Sequence, residues 1–181
     1  MGLSYSNFER GAMLLLRFFH IVSGALWVGS AFLFVGFIGP SAAEVAPTAG
    51  PLFHVAVKKR KVAKVITSLG GITVVVGWIM WFRDMNLFGS FGDWIGSSFG
   101  LGLTIGGVLA TIAAFEGYFG VGRNVERQVD LSDEIAASGG PPSSEQQAEM
   151  ARIGAELERN GKIDLVLLLL AVTAMATARY W

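Results

Sequence analysis

Polar residues are distributed along this chain in blocks, leaving four long apolar stretches between them. These run from about Gly11 to Ile38, Val62 to Phe82, Ser98 to Val121 and Ile163 to Ala178. Crossing a hydrocarbon core of ~30 Å takes ~20 mostly apolar residues in an α-helix, and each stretch is read as one crossing. Gly39-Pro40 is expected to stop the first, Arg83-Asp84 the second and Gly122-Arg123 the third. The fourth is short, so Arg179, Tyr180 and Trp181 are expected to anchor it at the headgroups. The fold class that follows is all-α: a polytopic four-helix membrane bundle forming one domain over residues 1–181.

The longest polar block, about 123–160, predicts a helical hairpin outside the bilayer between the third and fourth crossings. Arg123 to Ala137 continues the third helix, and Ser138-Gly139-Gly140-Pro141-Pro142 breaks it. Ser144 with Gln147 has the spacing of a capping box, Met150, Ile153 and Leu157 share one face, and Gly161 is expected to end the returning helix.

Charge orients the bundle. Lys58, Lys59, Arg60 and Lys61 follow the first helix, and Arg123, Arg127, Arg152, Arg159 and Lys162 surround the hairpin. Only Arg10, Arg17, Arg83 and Arg179 lie toward the other side. The positive-inside rule then places the hairpin in the cytoplasm and both termini outside, in the cytoplasmic (inner) membrane. Charged residues make up 15% and hydrophobic residues 52%, which suits lipid rather than water as the main partner. Acidic and basic residues balance at 14 each, so nothing in the charge calls for nucleic acid. Cysteine is absent, which removes thiolate nucleophiles, zinc–thiolate sites, cysteine-held clusters and c-type haem attachment.

Candidate chemistry centres on His20, about nine residues into the first helix, with Ser23, Gly24, Trp27 and Ala31 on its face. Ionisable groups at membrane depth face a bundle interior or a polar cavity. A neutral imidazole there either makes a helix–helix hydrogen bond or ligates haem iron or copper. Met13, Met80 and Met175 belong to the same half of the bilayer and Met85 lies just beyond it; their thioethers are the available companion ligands, or else simple packing groups. His54 lies on the basic side, so the two histidines cannot share a metal. Glu116 and Lys64 stand at similar depths near the basic side, and the economical expectation is an ion pair between them; a proton-handling carboxylate at Glu116 is the alternative. Gly102, Gly106 and Gly107 on the third helix, and Gly70, Gly71 and Gly77 on the second, form small faces for close helix packing. Trp78, Trp81, Trp94 and Trp181 are read as an interfacial belt. No triad, carboxylate dyad or metalloprotease helix is present to mark an enzyme.

Taken in order, FFHIVSGALWVGSAFLF, VAKVITSLGGITVVVGW, LTIGGVLATIAAFEGYFG and the ending AVTAMATARYW resemble predicted integral membrane proteins related to the copper-resistance D family and to the membrane domain joined to some bacterial urate oxidases. The resemblance implies a bacterial membrane protein with copper handling or b-type haem binding among its relatives' proposed roles. In a haem-binding, protoporphyrinogen-oxidising branch of similar layout, a first-helix histidine corresponds to His20 and a second-helix lysine to Lys64, although Lys64 stands here at the opposite depth. The reading that follows is a non-enzymatic membrane subunit associating with other membrane subunits or with itself; the alternative is a copper or haem b binder using His20.

Overall fold

The computed structural model describes residues 2–45 and 48–180, with side chains from Glu9 onward except at the gap. Among the described residues there are helices and turns and no strand. Four helical rods are long and apolar enough to cross a membrane: Glu9–Glu44, Val62–Phe88, Ser98–Ala137 and Ser144–Tyr180. The first comprises α1 (Gly2–Leu33), a π-helical turn (Phe34–Ile38) and α2 (Gly39–Glu44). After it come α3 (Gly50–His54) and a second π-turn (Val55–Lys59), then α4 (Val62–Phe88) and the short α5 (Phe91–Gly96). The third rod is α6 (Ser98–Glu116), a π-turn (Gly117–Gly122) and α7 (Arg123–Ala137); α8 (Ser144–Thr177) ends in a 3₁₀ turn, Ala178–Tyr180. Because the rods alternate in direction, the start of the first rod and the end of the fourth lie at one end of the bundle and the hairpin at the other.

The helix breaks expected at Gly39-Pro40 and Gly161 are absent. Proline has no N–H to give the carbonyl four residues back. The π-turn ahead of Pro40 changes the hydrogen-bond register, Gly39 N–H donating to the Phe34 carbonyl, and the rod continues through Pro40. Gly161 is buried inside α8, and a Cβ there would lie 3.1 Å from Val35 Cγ2. The glycine serves close approach to the first rod rather than chain termination. The capping box also lies one residue earlier than expected: Ser143 is the N-cap, and its hydroxyl accepts from Gln146 N–H while Gln146 Oε1 accepts from Ser143 N–H.

At 34 residues α8 is about 50 Å long, well beyond a ~30 Å core. Its first half must therefore leave the apolar slab, and there it pairs with α7. Val129 and Leu131 of α7 and Ile153 of α8 are buried in this part of the molecule. Arg127 grips Glu149 with two bonds, Nε to Oε1 at 2.9 Å and Nη2 to Oε2 at 3.1 Å, and reaches Glu134 with Nη1. This grip holds the Glu149 carboxyl below the ordinary carboxylate range. The segment after the first rod is fastened to the same hairpin: His54 Nδ1 lies 2.9 Å from Asp133, Lys58 binds Asp130, and Val57 is buried.

Within the spanning part the closest seam joins α6 to α8. Gly102, Gly106, Ala110 and Ala113 are buried on α6, and Leu168, Ala171, Ala174 and Ala178 on the fourth rod. A Cβ on Gly102 would stand 2.6 Å from Ala178 Cβ, and one on Gly106 would stand 2.5 Å from Met175 Cγ and 3.0 Å from the Ala171 carbonyl. Small residues at a turn's spacing let the two backbones approach, the main source of helix affinity where burial from water is no longer gained.

Candidate functional site

The second seam, between α1 and α4, carries His20. Gly70 and Gly77 clear the way for two large rings. A Cβ on Gly70 would lie 2.8 Å from Trp27 Cε2, and one on Gly77 would lie 2.9 Å from His20 Cε1. The rings drop onto the bare backbone, and the spacing of seven residues on each helix, 20 to 27 and 70 to 77, puts both contacts on one face of an antiparallel pair. Gly24, between the two rings, sits against Thr73, which lies between the two glycines on α4. Gly107 accommodates Trp78 at ordinary contact distance. A Cβ on Gly71 would meet nothing within 4 Å, so its place on the expected packing face is corrected: one residue round from Gly70, it turns about 100° away from the seam.

A small polar network fills the centre of this seam. His20 Nδ1 is 2.9 Å from the Thr73 carbonyl oxygen, so this nitrogen carries the proton and donates it. Ser23 Oγ and Thr73 Oγ1 are 2.8 Å apart; one hydroxyl donates across the seam, and the one that accepts donates back into its own helix, to the Phe19 or His20 carbonyl for Ser23 or to the Leu69 carbonyl for Thr73. Ser23 and Thr73 are buried. Fixing the proton on Nδ1 leaves Nε2 as the basic lone pair, and no protein group bonds to it among the described residues. This is the tautomer and the backbone tether that metal-binding histidines use.

The candidate companion ligands are distributed unevenly. Met13, buried, lies two turns from His20 toward the N-terminus, and Met80 one turn beyond Gly77 on α4, so both belong to the α1–α4 pair. Met85 is further along α4. Met175 packs over Gly106 in the α6–α8 seam and is committed there. Toward the termini the α1–α4 seam opens into a shallow cleft lined by Glu9, Arg10, Met13, Leu14, Arg17 and Arg83. Arg17 borders this cleft together with Glu9; Asp84 pairs with Arg83 at 2.9 Å and Asp93 accepts from the Ser90 hydroxyl. Among the described residues no three His, Asp or Glu side chains stand together as ligands for a metal ion.

The tryptophans do more than line an interface. Trp78 Nε1 donates to Thr111 Oγ1 at 2.9 Å and Trp81 Nε1 to Thr104 Oγ1 at 2.8 Å, tying α4 to α6. Trp94, 1% exposed, packs edge-on against Trp81, Phe88 and Phe99 and closes the bundle end through α5. Trp181 lies outside the described residues.

The expected Lys64–Glu116 ion pair is not formed. Lys64 stands at the first turn of α4 with its nitrogen 4.0 Å from Glu126, about three turns further along the third rod than Glu116. Glu116 faces α8 instead, its carboxylate lying over Gly120 beside the Asn160 amide. There it neighbours Asp164, a buried carboxylate that sequence reasoning missed. The available signal was its position, one residue inside the last apolar run. Comparison with known families, with curated proteins and with solved structures finds no match for this chain.

Proposed function

We propose that the protein is a non-enzymatic membrane subunit, a four-helix scaffold that associates with other membrane chains or with itself. The observation that carries this reading is how the polar side chains of the α1–α4 and α4–α6 seams are used. His20, Ser23, Thr73, Trp78 and Trp81 all spend hydrogen bonds on neighbouring helices, which fixes register and leaves no constellation of nucleophile, base and oxyanion donors among the described residues. Mild solubilisation followed by identification of co-purifying chains tests it. A stable stoichiometric membrane partner or a discrete homo-oligomer is expected; a monodisperse single chain would sink it.

One observation favours a second reading, a copper or haem b site of the kind the copper-resistance D resemblance implies. His20 presents a free Nε2, held in tautomer by Thr73, on a helix pair that also contains Met13 and Met80. Thioether and imidazole together suit Cu(I) or a His/Met haem. An optical spectrum with metal analysis of the same preparation separates the readings. A Soret band or stoichiometric copper that disappears in His20→Leu establishes the second. A colourless, metal-free sample, with His20→Leu costing only about 0.6–1.7 kcal/mol for the lost interhelical bond, leaves His20 to packing.

The basic residues of the hairpin end support a cytoplasmic placement for it, with both termini across the inner membrane. Because the chain has no cysteine, a single Ser138→Cys variant gives a clean probe. In intact cells an impermeant maleimide should leave it unlabelled until the membrane is opened, and immediate labelling would reverse the orientation.

A further inference from the structure

At the hairpin end of the α6–α8 seam two π-turns meet α8 at one level. Phe34–Ile38 of the first rod brings Val35 onto Gly161, and Gly117–Gly122 of the third brings Gly117 onto Asp164, whose Oδ1 and Oδ2 lie 3.7 and 3.9 Å from where a Gly117 Cβ would stand. Asp164 is only 6% exposed in this arrangement, and its Oδ1 has no hydrogen-bond partner. An ionised carboxylate cannot be kept there cheaply, because burial removes its water and nothing replaces it. The neighbouring Glu116 adds a second negative charge against it.

Among the described residues no cation answers these two acids. The first π-turn, FVGFI, has no titratable group, and the third rod's π-turn has only the exposed Tyr118. On α8 itself Lys162 is engaged by Glu158, Arg152 by Glu156, and Arg159 leans on Asn160. On α7 Arg127 is held by Glu149 and Glu134, and on α4 Lys64 faces Glu126. Arg123 is exposed at the start of α7. The neighbouring amides are spent on other acceptors: Asn160 and Asn124 both donate to the Gly120 carbonyl, at 3.4 and 2.9 Å, and Asn124 also donates to Glu156 Oε2 at 3.1 Å.

We propose that Asp164 and Glu116 form a proton-binding carboxylate pair, with a proton held on the orphaned Asp164 oxygen inside the α6–α8 seam. Adding one proton removes one of the two negative charges and makes the seam tenable without a metal cation. This inference is independent of the His20 question, since the two sites occupy different seams.

Infrared spectroscopy of the full chain in lipid nanodiscs tests it directly. Folded wild-type protein at neutral pH should show the carbonyl stretch of a protonated carboxylic acid. Carboxyl-labelling with ¹³C-aspartate should displace that band, Asp164→Asn should abolish it, and Glu116→Gln should retain it at an altered frequency because its neighbour has changed. The isotope label assigns the band to aspartate even if Asp164→Asn fails to fold. Absence of the band, or a band indifferent to the aspartate label, overturns the proposal. So does a melting temperature raised by sodium or calcium chloride in wild type but not in Asp164→Asn, which would make the occupant a metal cation.

Discussion

Gly102→Val is expected to destabilise the bundle by about 3 kcal/mol, among the largest effects of any single added side chain. The new Cβ alone would stand 2.6 Å from Ala178 Cβ, 2.9 Å from Ala178 Cα and 3.2 Å from the Ala174 carbonyl. Two of these three atoms are backbone and the third is a methyl on it, so no rotamer change can relieve the clash. The α6 and α8 rods must separate, and separation forfeits the contacts along the whole Gly102–Ala113 stripe. Gly106 makes the useful comparison, because two of its three nearest obstacles are atoms of the flexible Met175 side chain and the single backbone one, the Ala171 carbonyl, stands at 3.0 Å. Gly106→Ala should therefore cost less than Gly102→Ala. Gly71→Ala meets nothing within 4 Å and should be neutral or slightly stabilising. Thermal unfolding in a fixed detergent, followed by far-ultraviolet circular dichroism, gives the ranking. Equal losses at Gly102 and Gly71 would mean that helix propensity, not the seam, governs stability.

Trp27→Ala should cost about 2 kcal/mol or more. Trp27 is 3% exposed and forms the bundle's central cluster with Ala113 of α6 and Leu168 of α8, while its ring covers Gly70 of α4. One side chain thus ties its own rod to the other three. In a membrane the unfolded helices already bathe the indole in lipid, so the transfer contribution to the usual aromatic-to-alanine penalty falls away. The cavity contribution stays, because the surrounding side chains lose their contact atoms and only partly collapse. The cause can be checked by refilling the hole. Gly70→Leu alone should destabilise, since even its Cβ would lie 2.8 Å from the indole; combined with Trp27→Ala it should recover part of the loss. A double-mutant cycle with a favourable coupling supports the packing account, whereas simple additivity would refute it.

The crossings are legible in the sequence because lipid imposes a length and a polarity on each helix independently of the others. Interruptions are harder to place. Gly39-Pro40 and Gly161 carry strong local signals for chain breaks, yet the rods run through both. At Pro40 a π-turn removes the need for the missing N–H, and at Gly161 the neighbour is Val35, a residue more than a hundred positions away. The glycines divide the same way. Of the six read as packing residues, Gly70, Gly77, Gly102, Gly106 and Gly107 do meet a neighbouring helix, and Gly71 does not. Composition identifies a small residue, while only the rotation of each helix about its axis says what it faces.

The charged residues divide likewise. Pairing Lys64 with Glu116 rests on their depth, but depth is one coordinate of three. Lys64 looks toward Glu126 and Glu116 toward α8, where Asp164 lies hidden among the first residues of an apolar run. What the amino-acid order determines by itself is the all-α class, the number of apolar rods and the polar hairpin between the last two, because each depends on hydrophobicity summed along a local window. What the tertiary structure decides is which side chains share a seam: His20 with Thr73, Trp27 with Gly70, Asp164 with Glu116. Those pairings depend on helix rotation and offset, which are set by the fit of small residues against large ones across interfaces that no single helix contains.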